Sequence, residues 1–494
     1  MFRIPLKFTV KTMADKLSEL RTKKYPDKSA RLRIKSLWKD LRLAIRGIDV
    51  DYTTVPLNRA ILFLALPMIL EMAMESVFVV VDVFFVAKLG SDAVAAVGLT
   101  DTVITVVYAI AVGLAVAITA MVARRIGEKD PEQASYTAVQ AICMGIAISI
   151  PLSLLGIFQS KNILQIMGAS DSIIRTGSGY TTILIGGSST IMLLFVINAV
   201  FRGAGDAIFA MRALWLANFI NIILDPCLIF GWGPFPELGV SGAAVATTIG
   251  RGLGVFYQLW ILFRGRSRVK VKRRHLTLRI KVIVRLLRVS LGGVLQYLIA
   301  TASWIGLVRI IALFGGAVIA GYTIAIRVII FSFLPSWGIA NAAATLVGQN
   351  LGAKNPERAE KAVWKIALTN LVFLGAISLA LISFPETLTR IFTDDQDIIP
   401  HAKDCLRFIA CGYPLIAYGT VMVHAFNGAG DTYTPSVINF FCYWLFQIPF
   451  AYLLAVPLGL DARGVFIAIA IAESLLALVA ILAFRRGKWK HRKI

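Results

Sequence analysis

Acidic residues are scarce: 28 Asp and Glu stand against 51 Lys and Arg among 494 residues, a formal charge of +23. Cysteine is scarcer still. Cys143, Cys227, Cys405, Cys411 and Cys442 lie in or beside apolar stretches without a C-x-x-C pair, so they read as small core residues rather than a disulfide framework or metal site. With four histidines there is no His and Cys cluster either. Neither a G-x-x-x-x-G-K-[ST] phosphate loop nor a G-x-S-x-G nucleophile turn occurs. These absences argue against an ATP-driven pump contained in this chain and against an enzyme, and no cofactor is expected. The first 30 residues lack a short apolar run behind a basic start, so no cleaved signal peptide is expected.

What the chain does have is apolar length. Hydrophobic residues make up 57% and the mean hydropathy is +0.75, above the roughly 45–50% apolar content of soluble domains. From Leu57 to residue 485, twelve segments each approach or exceed the roughly 20 residues that span a bilayer. The expected class is an all-α membrane protein with twelve transmembrane helices. The positive charge is confined to Met1–Val50, with 14 basic and 5 acidic residues, to the stretch 264–288, with 11 basic residues and no acid, and to six basic residues in 485–493. Such confinement argues against a nucleic-acid partner and for cytoplasmic loops of a cell-membrane protein. An even number of spans then places both termini and the connector in the cytoplasm. Ile34, Leu37, Trp38, Leu41, Ala44, Ile45 and Ile48 recur at helical spacing among Lys and Arg. They suit a helix on the anionic leaflet, or else belong to a tail whose charges only set topology.

An internal repeat organises the rest. GEKDPEQA and GAKNPERA, and RGAGD and NGAGD, each recur at an offset of 225 residues, and Leu89–Gly90 falls on Phe314–Gly315. The expected division is a basic tail at 1–56, an N-lobe at 57–264, a basic connector at 265–281, a C-lobe at 282–486 and a basic tail at 487–494. Six spans per half give the two lobes one orientation, with a central cleft between them.

Three carboxylates interrupt the first span, PMILEMAMESVFVVVDVFFVAKLG from Pro67 to Gly90. An acid at membrane depth is costly and is a functional candidate for that reason. Helical spacing stacks Glu71, Glu75 and Asp82 on one face, and Pro67 predicts a kink or a fraying turn. In the fifth span, NFINIILDP puts Asn218, Asn221 and Asp225 on one face. Pro226 frees the Ile222 carbonyl beside them. Such oxygens suit a small hard cation, sodium at Asp82, Asn221 and Asp225, or a proton on the aspartate. Alternatively the amides only join helices and Asp225 caps a local break. At +225 the counterparts of Glu71, Glu75, Asp82, Asn198, Asn221 and Asp225 are Gln296, Ala300, Leu307, Val423, Phe446 and Phe450, so the polar membrane chemistry belongs to the first half. Arg251 and Glu473 read as pathway residues or as interhelical contacts, and His424 as a packed core histidine. In each GAGD the glycine permits positive φ and the aspartate is expected to cap the next helix.

Taken together, LALPMIL with VDVFFVAKLG, the two G-x-K-[DN]-P-E-x-A segments, NAVFRGAGD, NIILDP with GVSGAAVATTIG, and NGAGDT resemble the multidrug and toxic compound extrusion (MATE) family, over nearly everything after residue 55. The resemblance implies a V-shaped pair of pseudo-symmetric six-helix lobes and antiport, in which protons or sodium ions entering drive out small amphipathic, often cationic compounds. A monomer in the lipid bilayer is expected. It further implies a DinF-like branch whose N-lobe network couples the ion: Asp82, Asp225, Asn221, Asn198, Thr247 and Tyr180. Pro67 is then the proline at which the first helix bends. Glu75, Glu71, Phe78 and Asn218 are the expected cavity residues. No acid lies within the seventh span and only Asp404 lies near the start of the tenth, which weakens a C-lobe ion site of the NorM type. The runner-up function is a lipid-linked saccharide or lipid flippase of the same superfamily; twelve spans and an acidic N-lobe argue against it.

Overall fold

The computed structural model describes residues 38–47, 49–492 and 494. All regular structure among them is helical. The N-lobe comprises α1 (Leu57–Ala87), α2 (Ser91–Gly127), α3 (Pro131–Ile166), α4 (Asp171–Ala204), α5 (Ala207–Phe230) and α6 (Val240–Phe263). The C-lobe repeats the order with α7 (Ile280–Phe314), α8 (Gly316–Gly352), α9 (Pro356–Ser383), α10 (Ile399–Gly428), α11 (Tyr433–Ala455) and α12 (Asp461–Arg485). Ten of the twelve are long and apolar enough to cross a membrane by length and composition. The remaining two, α1 and α6, are 31 and 24 residues long, and they carry the three carboxylates and Arg251. A helix over 38–46 precedes α1. Of the apolar stripe expected there, Ala44 is buried while Trp38 and Ile45 are exposed; Ile34, Leu37 and Ile48 lie outside the described residues.

Local sequence sets the helix starts. In both copies of G-x-K-[DN]-P-E the lysine takes a left-handed conformation, with φ 60° at Lys129 and 58° at Lys354. Next to it, Asp130 and Asn355 accept the main-chain N–H three residues on, at 2.9 and 3.0 Å, and proline occupies the first turn where no N–H is needed. The GAGD expectation holds in one half only. Gly205 and Gly430 both have positive φ, and Asp431 accepts from Thr434. Asp206 does not cap α5; it accepts instead from Ser267 Oγ at 2.6 Å and the Arg268 main chain at 2.8 Å. An acceptor of two connector bonds is no longer free to satisfy a helix end.

The lobes meet backbone to backbone at glycines that obey the repeat. On α2, Gly113 lies against Val294 of α7; its mate Gly338 on α8 lies against Met68 and Ile69 of α1. Nearer the connector, Gly127 of α2 packs on the Gln349 carbonyl and Gly352 of α8 on the Arg124 carbonyl. Gln349 also donates to the Gly203 carbonyl at 3.0 Å and Thr345 to that of Arg202 at 3.0 Å, so the connector ends of the lobes are sealed together. The apolar cores follow this seam rather than the chain division at 265–281. The first half of α1, from Ala60 to Met68, is buried with α8, α9, α10 and α12, whereas Leu286 and Val289 of α7 join the N-lobe core. A third core fills the far half of the C-lobe.

Two observations bear on the expectations. The helix α1 runs without a break from Leu57 to Ala87, so no frayed turn occurs at Pro67, which lies buried inside it. The 225-residue register slips in α11. Its residues Phe440–Gln447 form π turns, which add a residue to the helix. Gly242 of α6 meets Leu228 and Ile229, whereas Gly464 of α12 meets Leu454 and Ala455. Beyond the π turns the offset is therefore 226, and Asn221 and Asp225 correspond to Gln447 and Ala451 rather than to Phe446 and Phe450. Among the cysteines, Cys405 and Cys442 are buried, while Cys411 is exposed on α10 rather than a core residue.

Substituting the seam glycines separates packing from helix propensity. A Cβ at Gly338 would stand 2.6 Å from the Met68 carbonyl oxygen, whereas Gly375 on α9 faces open space. Gly338→Ala is expected to lower the apparent melting temperature of the purified protein, with a cost of about 1–3 kcal/mol. Gly375→Ala is expected to leave it unchanged or raise it, by up to ~1 kcal/mol. Thermal unfolding of the two variants side by side checks the opposite signs.

Candidate functional site

The polar groups of the N-lobe form a ladder along α1, which rises by about 16 Å from Glu71 to Asp82 at ~1.5 Å per residue. At the lowest rung Glu71 is 1% exposed. It accepts from Asn198 Nδ2 at 3.2 Å and faces the Arg202 guanidinium at 3.9 Å. Gln258 of α6 closes this rung by donating to Asn198 Oδ1 at 2.6 Å. One turn on, Glu75 accepts from Asn218 Nδ2 at 3.0 Å. Of the expected cavity residues, Glu71 is buried against the Asn198 and Arg202 side chains. Asn198 belongs with Glu71 and Gln258 rather than with the upper acids.

The upper rung lies between α5 and α6. Asn221 Nδ2 donates to Asp225 Oδ1 at 3.1 Å and to Thr247 Oγ1 at 3.0 Å. Asp225 is 0% exposed, and its Oδ2 and the Asn221 Oδ1 are buried without a partner among the described residues. The geometry selects Thr247 over Thr248, which donates to the Ala244 carbonyl of its own helix at 2.8 Å. Asp82 stands half-buried on α1 and makes no direct hydrogen bond to this trio among the described residues; it lies within electrostatic reach of Asp225 and Asp101. Tyr180 of α4 is buried within reach of Asp101 and Asp82.

Between the rungs is Arg251, which the sequence left undecided. It is 9% exposed and donates to the Tyr108 hydroxyl at 2.8 Å. Its guanidinium carbon lies 6.0 Å from the ring centre of Phe78 and 5.9 Å from that of Tyr108. Arg251 is the positive charge within reach of Glu75 and Asp82. Tyr108 and Asp101 on α2 drew no attention as sequence. Neither stands in a distinctive motif, and only the packing of α2 on α4, with the Arg251 side chain reaching across from α6, brings them to the ladder. The one available signal was Asp101 itself, an acid in an apolar span. Phe78 is buried against Arg251 rather than facing an open cleft.

Among the described residues the C-lobe has no matching ladder of acids. At the offset that places Gly464 on Gly242, Arg251 corresponds to Glu473, which accepts from the Tyr443 hydroxyl at 3.0 Å. His424 bonds through Nδ1 to the Thr420 carbonyl of its own helix at 2.8 Å. Outside the spans, Tyr52 donates to the Gly205 carbonyl at 3.1 Å. Burial pushes its hydroxyl up to about 12, so it remains a proton donor at neutral pH.

Comparison with known proteins follows the same outline. The MatE family model matches residues 67–227 and 294–453, one stretch in each lobe. The chain is similar to the "Probable multidrug resistance protein NorM" of Thermotoga maritima, 27% identical over 438 residues that cover 89% of this chain and 94% of the relative. A "FAD transporter" of Shewanella oneidensis is 25% identical, covering 88% and 95%. Among solved structures, the outward-facing conformation of a multidrug resistance MATE family transporter superposes with a TM-score of 0.83 at 27% identity, covering 91% of this chain and 98% of that one.

The trio can be tested without transport. Thr247→Val leaves one Asn221 hydrogen without its acceptor, whereas Thr248→Val removes only a bond to its own helix. The first is expected to destabilise the protein by about 1–3 kcal/mol and the second by much less, as read from thermal unfolding. Equal losses would remove Thr247 from the site.

Proposed function

Because this chain belongs to the MatE family of membrane transporters, we propose that it exports small amphipathic, cationic compounds across the cell membrane in exchange for protons or sodium ions. The observation that carries this reading is the Asn221, Asp225 and Thr247 trio with its two partnerless buried oxygens beside a half-buried Asp82. A buried carboxylate oxygen without a donor is costly. A proton on Asp225 removes the charge, and a sodium ion held by Asp225, Asn221, Thr247 and the Ile222 carbonyl freed by Pro226 would compensate it. Either event changes the net charge that Asp82, Arg251 and Asp101 experience. That gives the bound ion a differential affinity for the two arrangements of the lobes, which is what coupling requires. Pro67, one residue before the α8 crossing at Met68 and Ile69, is the turn at which α1 would bend in response.

Orientation follows from charge. The connector and the basic C-terminal tail lie at the end where the lobes are sealed. By the positive-inside rule that end is cytoplasmic and the cleft opens outward. Glu75 and Asn218 then stand where a cationic compound would meet the ladder.

Reconstituted vesicles test the proposal through efflux of a cationic dye under a proton gradient and, separately, under a sodium gradient. One of the two gradients is expected to drive efflux by the wild type. Asp225→Asn and Asp82→Asn are each expected to reduce that efflux to the passive leak. Undiminished gradient-driven efflux in Asp225→Asn overturns the assignment of the coupling site.

A further inference from the structure

A cavity of about 1000 Å³ opens at the connector end of the N-lobe, remote from the ladder. Its walls are the residues around the 38–46 helix, the turn between α2 and α3, the start of α5, and the connector. The connector is not a loose tether. Glu132 of α3 binds Arg274 at 2.5 Å and His275 at 2.9 Å, Ser135 accepts from the Lys270 main chain at 3.2 Å, and Gln140 bonds to both Thr277 and Arg279 at 3.0 Å. With Val269 and His275 buried and Asp206 holding Ser267 and Arg268, the strap closes one side of the hollow.

The charges in that wall are unequal in kind as well as number. Each of its carboxylates is already engaged: Asp49 by Arg268 at 2.9 Å, Asp206 by Arg268 at 4.0 Å and the strap, and Glu132 by Arg274 and His275. Arg46, Lys129, Arg212, Arg266, Lys270 and Lys272 also line it, and none of them makes an ion pair with the described residues. Arg212 already uses one nitrogen on the Ile45 and Arg46 carbonyls, which fixes its guanidinium at the mouth. Six cations around one hollow repel one another unless an anion joins them. Among the described residues the carboxylates of the wall do not supply one, since all three are already paired. Ala44, Phe63, Ile208 and Phe209 give the hollow an apolar side, so its lining is amphipathic. Its volume suits a whole polar headgroup or a nucleotide-sized molecule rather than a single small ion.

We propose that this hollow is a binding site for a phosphate-bearing anion, gripped by Arg46, Lys129, Arg212, Arg266, Lys270 and Lys272. The chemistry is that by which basic pockets at the cytoplasmic face hold anionic headgroups. A phospholipid headgroup reaching in from the leaflet and a soluble phosphate compound both supply it. None of the acid ladder takes part, so the site and the transport reading fail independently.

The test uses the full-length protein. Thermal stability is measured in nanodiscs of zwitterionic lipid with increasing phosphatidylglycerol, and separately in detergent with increasing pyrophosphate; a ligand that binds the folded state raises the melting temperature by mass action. The wild type is expected to be stabilised in at least one arm. Stabilisation by phosphatidylglycerol alone identifies a lipid headgroup, and stabilisation by pyrophosphate identifies a soluble phosphate. Arg212→Gln with Lys270→Gln is expected to weaken the apparent affinity roughly thirtyfold. Lys361→Gln with Lys365→Gln, an equal charge change at the start of α9 in the other lobe, is expected to leave it unchanged. If the first pair does not fold, Arg46→Gln carries the same comparison with a smaller loss. Absence of stabilisation of the wild type in both arms overturns the proposal, as does equal weakening in the α9 control.

Discussion

The structure depends on backbone meeting backbone between the lobes. Within a bilayer no water is available to reward the approach of two helices, so close packing has to come from small residues that let main chains touch. Gly113 and Gly338 provide it where α2 crosses α7 and α8 crosses α1, and Gly127 and Gly352 provide it where α2 crosses α8. Because these contacts follow the internal repeat, a single kind of crossing is used twice. The lobes are thereby fastened at the connector end, and the first halves of α1 and α7 are buried in the opposite lobe's core.

The polar groups are arranged under a related constraint. Side chains with hydrogen-bonding capacity inside a span must find partners on other spans. Glu71, Asn198, Gln258 and Arg202 contact one another but leave Glu71 Oε2, Arg202 Nε and Gln258 Oε1 buried without partners among the described residues. Asn221, Asp225 and Thr247 leave two oxygens without partners, and Asp82 waits half-buried nearby. What separates the two parts is charge: Arg202 faces the Glu71 carboxylate, whereas Asp225 makes no ion pair among the described residues, and Arg251 stands between them. In the C-lobe the π turns of α11 shift the register by one residue, which puts the buried Gln447 where α5 has Asn221 and Ala451 where α5 has Asp225. The C-lobe keeps an amide there and loses that carboxylate; its own acid, Glu473, stands on α12 at the position of Arg251.

Much of this was legible in the chain. Hydropathy, the positive segments and the 225-residue repeat are linear properties, and they suffice for an all-helical membrane protein of two equivalent halves. Asp225 with Asn221 was also legible, because a four-residue step on a helix needs no tertiary information. Glu71 was not: a helical wheel puts it with Glu75 and Asp82, but whether a face looks into a cleft or into another helix depends on the neighbours. Asp206 illustrates the same limit, since a cap sequence was outcompeted by a connector 61 and 62 residues away.

By itself, then, the sequence determined the number and polarity of the spans, the two halves and the depth of the acids, all of which follow from local periodicity and from the cost of charge in an apolar run. The tertiary structure alone decided which acids share a site, that α1 passes through Pro67 unbroken, that Arg251 sits among the carboxylates, and that the basic connector encloses a hollow. Those outcomes rest on contacts between residues far apart in the chain. Hydrogen-bond satisfaction and close packing are settled only when the helices are in place, because the same amide, carboxylate or glycine can serve several partners until one is brought within reach.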